Sequence, residues 1–432
     1  MTDKLVKYIR EEVKGTKEKE QLKDVIWGSI YDLNMKYDKK TSPLIKIVIL
    51  NAPCNGFGDL IFAKKLCDFL LEWYNCEVTI VTTLDKSLLS LGVDPKYVLG
   101  FSNKNEKSSA GMQCRRFANL KINGNLPEQD LIFIGPMQID YTPVLKDVKK
   151  LLPYSTLLNT FFFSEYNDSM DKKFDINTGV DNGRDGVFIT KIPKNSILPR
   201  SSKLPNKYAV VYVAESITRV KTCISSFINL LVTKYKNIKN FDLVVPSWYS
   251  PSKDIISHIG KRWDMVVLVK NVNKEKKTVV LKDGKNTSIF TFRCDIFPVP
   301  NPEMISIMKH SVDDILLTGD QSISDALSCC SNKNIFYQIA PWKEDFGKKL
   351  AKELPNHYLS KKKSSCGTMT AYRYKSDYKK FLKKWDFKRQ GKPKLDSIVM
   401  SVILEKNVKE IGDIAKIINS KSSLATIQKK ID

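Results

Sequence analysis

Three short stretches of this chain gather glycine, hydroxyl, amide and carboxylate side chains at spacings that suit anion binding and proton transfer. The first is Gly56-Phe57-Gly58-Asp59. Glycine lets backbone turn tightly and approach a ligand, and a helix start beyond it favours negative charge. Asp59 is then either a helix cap or a carboxylate base, and spacing alone leaves both open. The second is Thr318-Gly319-Asp320-Gln321-Ser322-Ile323-Ser324-Asp325. Its polar side chains fall where a helix leaves backbone N–H groups unpaired, a natural seat for a diphosphate. Gln321 and Asp325 stand four apart and share a face, where an acid can accept hydrogen bonds from a ribose diol. The alternative is an ordinary capping box from Ser322 to Asp325. The third is Pro341-Trp342-Lys343-Glu344-Asp345-Phe346, directly after an apolar run and so at the strand edge where ligands bind in open α/β sheets.

Several chemistries lack their residues. The glycines do not make Gly-x-Gly-x-x-Gly, and no Walker lysine follows them. No Gly-x-Ser-x-Gly elbow occurs, and no cysteine has a placed histidine partner. His258, His310 and His357 are too separated for a zinc site. No aspartate has another two residues later, so the Asp-x-Asp that holds a divalent ion on a diphosphate is missing, and no metal or other cofactor is expected.

The elements that must position these stretches alternate. Residues 1–42 carry the spacing of amphipathic helices, and 43–205 and 206–373 read as successive α/β domains. In the first, Ile45–Leu50 is a strand, Leu60–Tyr74 a helix and Glu77–Thr82 a strand, with further strands at Leu131–Ile134, Thr160–Phe163 and Gly186–Ile189. In the second, strands are expected at Tyr208–Val213, Phe241–Val245, Met265–Val269, Ile289–Arg293, Asp314–Thr318 and Asn334–Gln338. Helices fall at Thr222–Lys234, Ser252–Gly260, Pro302–His310 and Ser322–Cys330, with a charged hairpin-like insertion at Lys274–Ser288. Residues 374–432 read as helices that pack back across both lobes.

Together the second and third stretches resemble the donor half of GT-B glycosyltransferases, in which a Gly-x-x-Ser-x-x-acid helix precedes a strand and a Pro-x-x-x-Asp-Gln loop. Gly319, Ser322 and Asp325 match the first pattern and Pro341 and Asp345 the second, while Phe346 stands where glutamine is usual. Gly56-Phe57-Gly58-Asp59 is similar to the first glycine turn of the same enzymes. The resemblance, over roughly 45–350, implies two Rossmann-like α/β domains with parallel sheets, flanked by extra N- and C-terminal helices. It implies a nucleotide-sugar co-substrate, UDP-linked by default, in the cleft between the halves. Asp59 would be the base. Ser216, Thr218 and Arg219 would meet the phosphates, Pro300 lies in the loop that holds the nucleobase, and Gly319, Asp320, Gln321, Ser322, Asp325, Trp342, Lys343 and Asp345 complete the donor site. The acceptor, a glycan, protein or lipid-linked group, is not legible.

The formal charge of +24 invites a polyanion partner, but the lysines are spread along the chain and no nucleic-acid-binding motif accompanies them. Two other readings remain beside transfer: a catalytically degenerate scaffold that binds polyanions or plays a structural part, and a nucleotide-sugar epimerase or hydrolase. The nine scattered cysteines, without a Cys-x-x-Cys, and the lack of an apolar leader point to the cytoplasm.

Overall fold

The computed structural model describes residues 37–40, 42–51, 53, 57–100, 127–137, 159–167, 174–190, 198–215, 220–273, 275–285, 287–330, 332–340, 343–354, 369–373 and 378–407. The expected helices of 1–42 lie outside them save for residues at the end of that segment, as does everything after 407. The described chain divides into two compact α/β units.

The first unit holds a five-stranded, wholly parallel sheet in the order β3-β2-β1-β4-β5. Its strands are β1 (Ile45–Asn51), β2 (Cys76–Thr82), β3 (Val98–Gly100), β4 (Leu131–Met137) and β5 (Thr160–Ser164). Ile45, Ile47, Val48, Ile49 and Leu50 are all buried, the near-continuous apolar run of a strand covered on both faces. Helix α1 (Gly58–Trp73) crosses from β1 to β2 and buries Leu60, Phe62, Ala63, Leu66 and Leu70. The chain leaves β1 for β2 and β3 on one side, then returns to place β4 and β5 on the other. The direction therefore reverses between β1 and β4, and at such a switch point the loops beyond the strand ends part to leave a crevice.

The second unit repeats this logic with eight strands in the order β13-β12-β11-β6-β7-β10-β8-β9. They are β6 (Lys207–Tyr212), β7 (Asn240–Val244), β8 (Met265–Val272), β9 (Glu275–Lys282), β10 (Ile289–Arg293), β11 (Asp314–Thr318), β12 (Asn334–Gln338) and β13 (Met369–Arg373). All pair in parallel except β9 on β8 and β13 on β12. Here the reversal falls between β6 and β11. The helices are α3 (Val220–Lys234), α4 (Lys253–Ile259), α5 (Asn301–His310), α6 (Asp320–Cys329), α7 (Glu344–Glu353) and α8 (Tyr378–Trp385), after α2 (Asp85–Ser90) earlier in the chain. Phe227, Leu231, Phe241, Leu243, Trp263, Phe290 and Phe292 fill the core on one sheet face.

Several sequence expectations shift. Gly186–Ile189 forms no strand, only isolated bridges from Gly186 to Gly179 and from Val187 to Asp386. Gly186 takes φ +83°, and a Cβ there would meet the Trp385 carbonyl oxygen at 2.7 Å, so the backbones approach too closely for a regular ladder. The insertion at Lys274–Ser288 supplies edge strand β9. A helix, α7, follows β12 directly, with Phe346, Gly347 and Leu350 buried. Residues 198–205 belong to the second unit: Ser306 Oγ donates to the Leu198 and Pro199 carbonyls, and the Arg293 guanidinium to that of Lys203. From Trp385 on, the chain is part of the first unit as α9 (Phe387–Gln390) and α10 (Lys392–Asn407). Phe387 packs edge-on against Phe188, and Tyr74 Oη donates to Asp396 at 2.7 Å. No helix among the described residues is long and apolar enough to cross a membrane.

Candidate functional site

The two turns singled out in the sequence both follow a strand that borders the switch point of its sheet, β1 in the first unit and β11 in the second. In the first unit, β1 ends in Asn51, which is 1% exposed. Its Nδ2 donates to the Asp59 carbonyl at 3.0 Å and the Gly135 carbonyl at 3.1 Å, and its Oδ1 accepts from Thr82 Oγ1 at 3.3 Å. One amide thus joins the ends of β1, β2 and β4 to the first turn of α1. Gly58 opens the helix, and Phe57 stands at its N-cap without a side-chain hydrogen bond. Asp59 is therefore not the N-cap; its acid lies in the first turn, where the helix dipole favours negative charge. Gly56 lies outside the described residues.

In the second unit, Gly319 caps α6 with φ +88°, and a Cβ built on it would have no atom of the described residues within 4 Å. No side chain caps the helix, so the Ser322-to-Asp325 capping box is not formed: α6 begins earlier, at Asp320, and Ser322 already lies inside its first turn. Asp320 Oδ1 accepts from the Gln321 N–H at 3.1 Å, and its Oδ2 pairs with Lys343 Nζ at 2.9 Å. Lys343 is itself buried, at the N-cap of α7. Gln321 and Asp325 share the inner face as their spacing requires, each 3% exposed. Gln321 Oε1 is buried with no hydrogen-bond partner among the described residues. Asp325 is engaged through both oxygens: Oδ1 accepts from Thr190 Oγ1 at 2.6 Å and Oδ2 from Asn301 Nδ2 at 2.9 Å. It therefore couples α6 to the start of α5 and to the segment at Thr190, and a diol could use only its remaining lone pairs.

Around this turn the strand ends are tied by side chains. Thr318 Oγ1 donates to the buried Gln338 at the end of β12. Tyr212, ending β6, stands edge-on to Phe297 with ring centroids 5.4 Å apart, and burial pushes its phenol up to about 12. Pro300 is exposed and takes the N-cap of α5. Asp345 is half-buried in the first turn of α7. Phe346 is buried, edge-on to Tyr337, so this position packs the core. Burial pushes the thiols of Cys67, Cys76, Cys294 and Cys330 up to about 12, which leaves them protonated at neutral pH. Among the described residues, no three His, Cys, Asp or Glu side chains gather into a cation site.

The structure thus brings together Gly319, Asp320, Gln321, Ser322, Asp325 and Lys343, and places Gly58 and Asp59 on the equivalent turn of the first unit. Ser216, Thr218, Arg219, Pro341 and Trp342 lie outside the described residues. Sequence reasoning missed Asn51, Thr190, Asn301 and Gln338. Three of them had a signal: Asn51 and Gln338 are polar residues closing an apolar strand, and Asn301 precedes the proline of a helix start. Thr190 had none.

No family model and no curated protein matches the sequence. Among solved structures, similar ones include MurG of Acinetobacter baumannii, at 9% identity over 90% of this chain and 98% of that one, with a TM-score of 0.36. An alpha-glucosyltransferase in complex with UDP and a mismatch-containing DNA matches at 12% identity, 82% and 100% coverage and a TM-score of 0.40. The UDP-GlcNAc 2-epimerase of Neisseria meningitidis bound to UDP-GlcNAc matches at 11% identity, 90% and 98% coverage and a TM-score of 0.39. The strand orders of the chain itself establish two Rossmann-like α/β units.

Proposed function

We propose that the protein is a glycosyltransferase that moves a sugar from a nucleotide-sugar, UDP-linked by default, to a nucleophile on an acceptor, without a metal ion. The observation that carries this reading is the β11–α6 turn. An uncapped helix N-terminus at a sheet's switch point, opened by a glycine with free space beside it and bordered by a buried lysine, suits a diphosphate. Gln321 and Asp325 lie buried on the inner face of the same helix.

In this reading Asp59 accepts the proton of the acceptor's nucleophile as that atom bonds to the anomeric carbon. The anomeric C–O bond breaks, and its electron pair leaves with the nucleoside diphosphate. The growing charge on the leaving oxygens is met by the amides of the α6 N-terminus and by Lys343, with Arg219 as a further cation. Asn51 does not touch the reactants; it fixes the turn that carries Asp59. Phe346 supplies packing where the resembling enzymes present an amide, so recognition of the sugar falls to other groups.

The test is release of nucleoside diphosphate from a panel of nucleotide-sugars, measured with and without candidate acceptors. Acceptor-dependent release that Asp59→Asn lowers by about 10²-fold or more supports the reading. Acceptor-independent consumption would instead mark a hydrolase or epimerase, and no turnover of any nucleotide-sugar would refute it.

A further inference from the structure

Helix ends that receive phosphate ordinarily keep their amides free, yet α6 begins with an acid. Asp320 Oδ1 sits on the Gln321 N–H at 3.1 Å, and Oδ2 holds Lys343 Nζ at 2.9 Å. The pair is well shielded, with side chains 14% and 7% exposed respectively, so salt screens it less than a surface ion pair. The carboxylate thus occupies a donor that an incoming phosphate oxygen would use, and it neutralises the cation beside that donor. Two features of the turn, among the described residues, suit a further group. Gln321 Oε1 is buried without a partner, which costs stability until a donor reaches it. No atom of the described residues lies within 4 Å of a Cβ built on Gly319.

Resting on the donor reading of this turn, we infer that Asp320 is an internal stand-in for the donor's phosphate. In the protein without nucleotide it accepts from the Gln321 N–H and holds Lys343. An arriving nucleoside diphosphate displaces it and takes the Gln321 N–H and the Lys343 ammonium for its own oxygens. The exchange is selective because the competitor is already in place. A phosphate offers more charge and more acceptor oxygens than one carboxylate, and a nucleoside also brings hydroxyl or N–H donors for Gln321 Oε1. Inorganic phosphate brings no such anchor and does not displace Asp320. The residue therefore sets which anions enter the site, and Lys343 serves two partners in turn.

Calorimetric titration of UDP, GDP, ADP, dTDP and inorganic phosphate into the wild-type chain, Asp320→Asn, Lys343→Ala and the double variant tests this. Removing the competing charge should tighten the best nucleoside diphosphate roughly tenfold. It should also make inorganic phosphate binding measurable. The same substitution should lower the melting point of the protein without nucleotide, because Lys343 loses the carboxylate it pairs with. Opposite signs for affinity and stability separate a competitor from a purely structural pair, which would lower both. Lys343→Ala should weaken diphosphate binding, and by a larger factor in the Asp320→Asn background, where the lysine is no longer shared. Asp320→Ser, which keeps an uncharged acceptor for the Gln321 N–H, carries the same expectations should the asparagine variant not fold. If wild type binds a nucleoside diphosphate and both uncharged variants bind it equally or more weakly, the stand-in role is overturned while the donor site survives. If neither wild type nor variant binds any, the donor reading falls and this inference with it.

Discussion

The β1–α1 turn of the first unit and the β11–α6 turn of the second share one plan and are held by opposite means. Each follows a strand beside a switch point, each helix lacks a side-chain N-cap, and each carries an acid in its first turn. The first is braced by neutral hydrogen bonds: the Asn51 amide joins three strand ends and a helix turn through the carbonyls of Asp59 and Gly135 and the Thr82 hydroxyl. The second is braced by charge, with Asp320 on Lys343 and Asp325 on Thr190 and Asn301. A neutral scaffold fixes the backbone turn that carries a carboxylate, which suits a base. A charged scaffold holds cations and donors that a ligand can claim, which suits a leaving diphosphate.

This contrast can be broken by substitution. Asn51→Ala should have the largest effect, about 3 kcal/mol of stability, because it strands buried carbonyls and a hydroxyl together. Chemical denaturation should show that loss unchanged by added nucleotide. Asp325→Ala should cost about 2 kcal/mol by leaving the Thr190 hydroxyl and the Asn301 amide without their acceptor. Its denaturation midpoint should also lose any shift that nucleotide gives the wild type, the mark of a scaffold shared with a ligand. Gly319→Ala sharpens the comparison further. With no atom of the described residues near the new methyl, the positive-φ, extended-ψ backbone is what resists, at about 2 kcal/mol, and thermal melts should show it. Thr82→Val should be mildest, about 1 kcal/mol, since it removes two long hydrogen bonds, one to Asn51 Oδ1 and one from the Leu84 N–H, while the Asn51 amide keeps its other two.

Much of this architecture was legible in the sequence because parallel strands buried on both faces are written as apolar runs. Ile45–Leu50, Ile289–Arg293, Asp314–Thr318 and Asn334–Gln338 all sit within a residue of their observed limits. Elements set by their surroundings were not legible. Strand β13 pairs at the sheet margin, where it bonds antiparallel to β12, and at α7 the sequence offered a ligand loop beside a solvated helix start, of which the helix start is what forms from Glu344. Gly186–Ile189 looks like a strand, but the close approach of Trp385 reduces it to isolated bridges. At the site, spacing placed Gln321 and Asp325 on one face correctly. It could not show that Asp325 is claimed by Thr190, 135 positions away, or that Asp320 reaches Lys343 across the next strand.

The central claim is that the β11–α6 turn binds a nucleoside diphosphate, and a thermal-shift panel of UDP, GDP, CMP, dTDP and ADP at low and moderate salt tests it most directly. A ligand present at a hundred times its dissociation constant adds about 2.7 kcal/mol to stability. The account predicts that one diphosphate raises the wild-type midpoint at both salt concentrations, and that Lys343→Ala and Asp325→Ala abolish the rise relative to their own ligand-free midpoints. No rise with any of the five, or an equal rise with all of them that moderate salt erases, would contradict it.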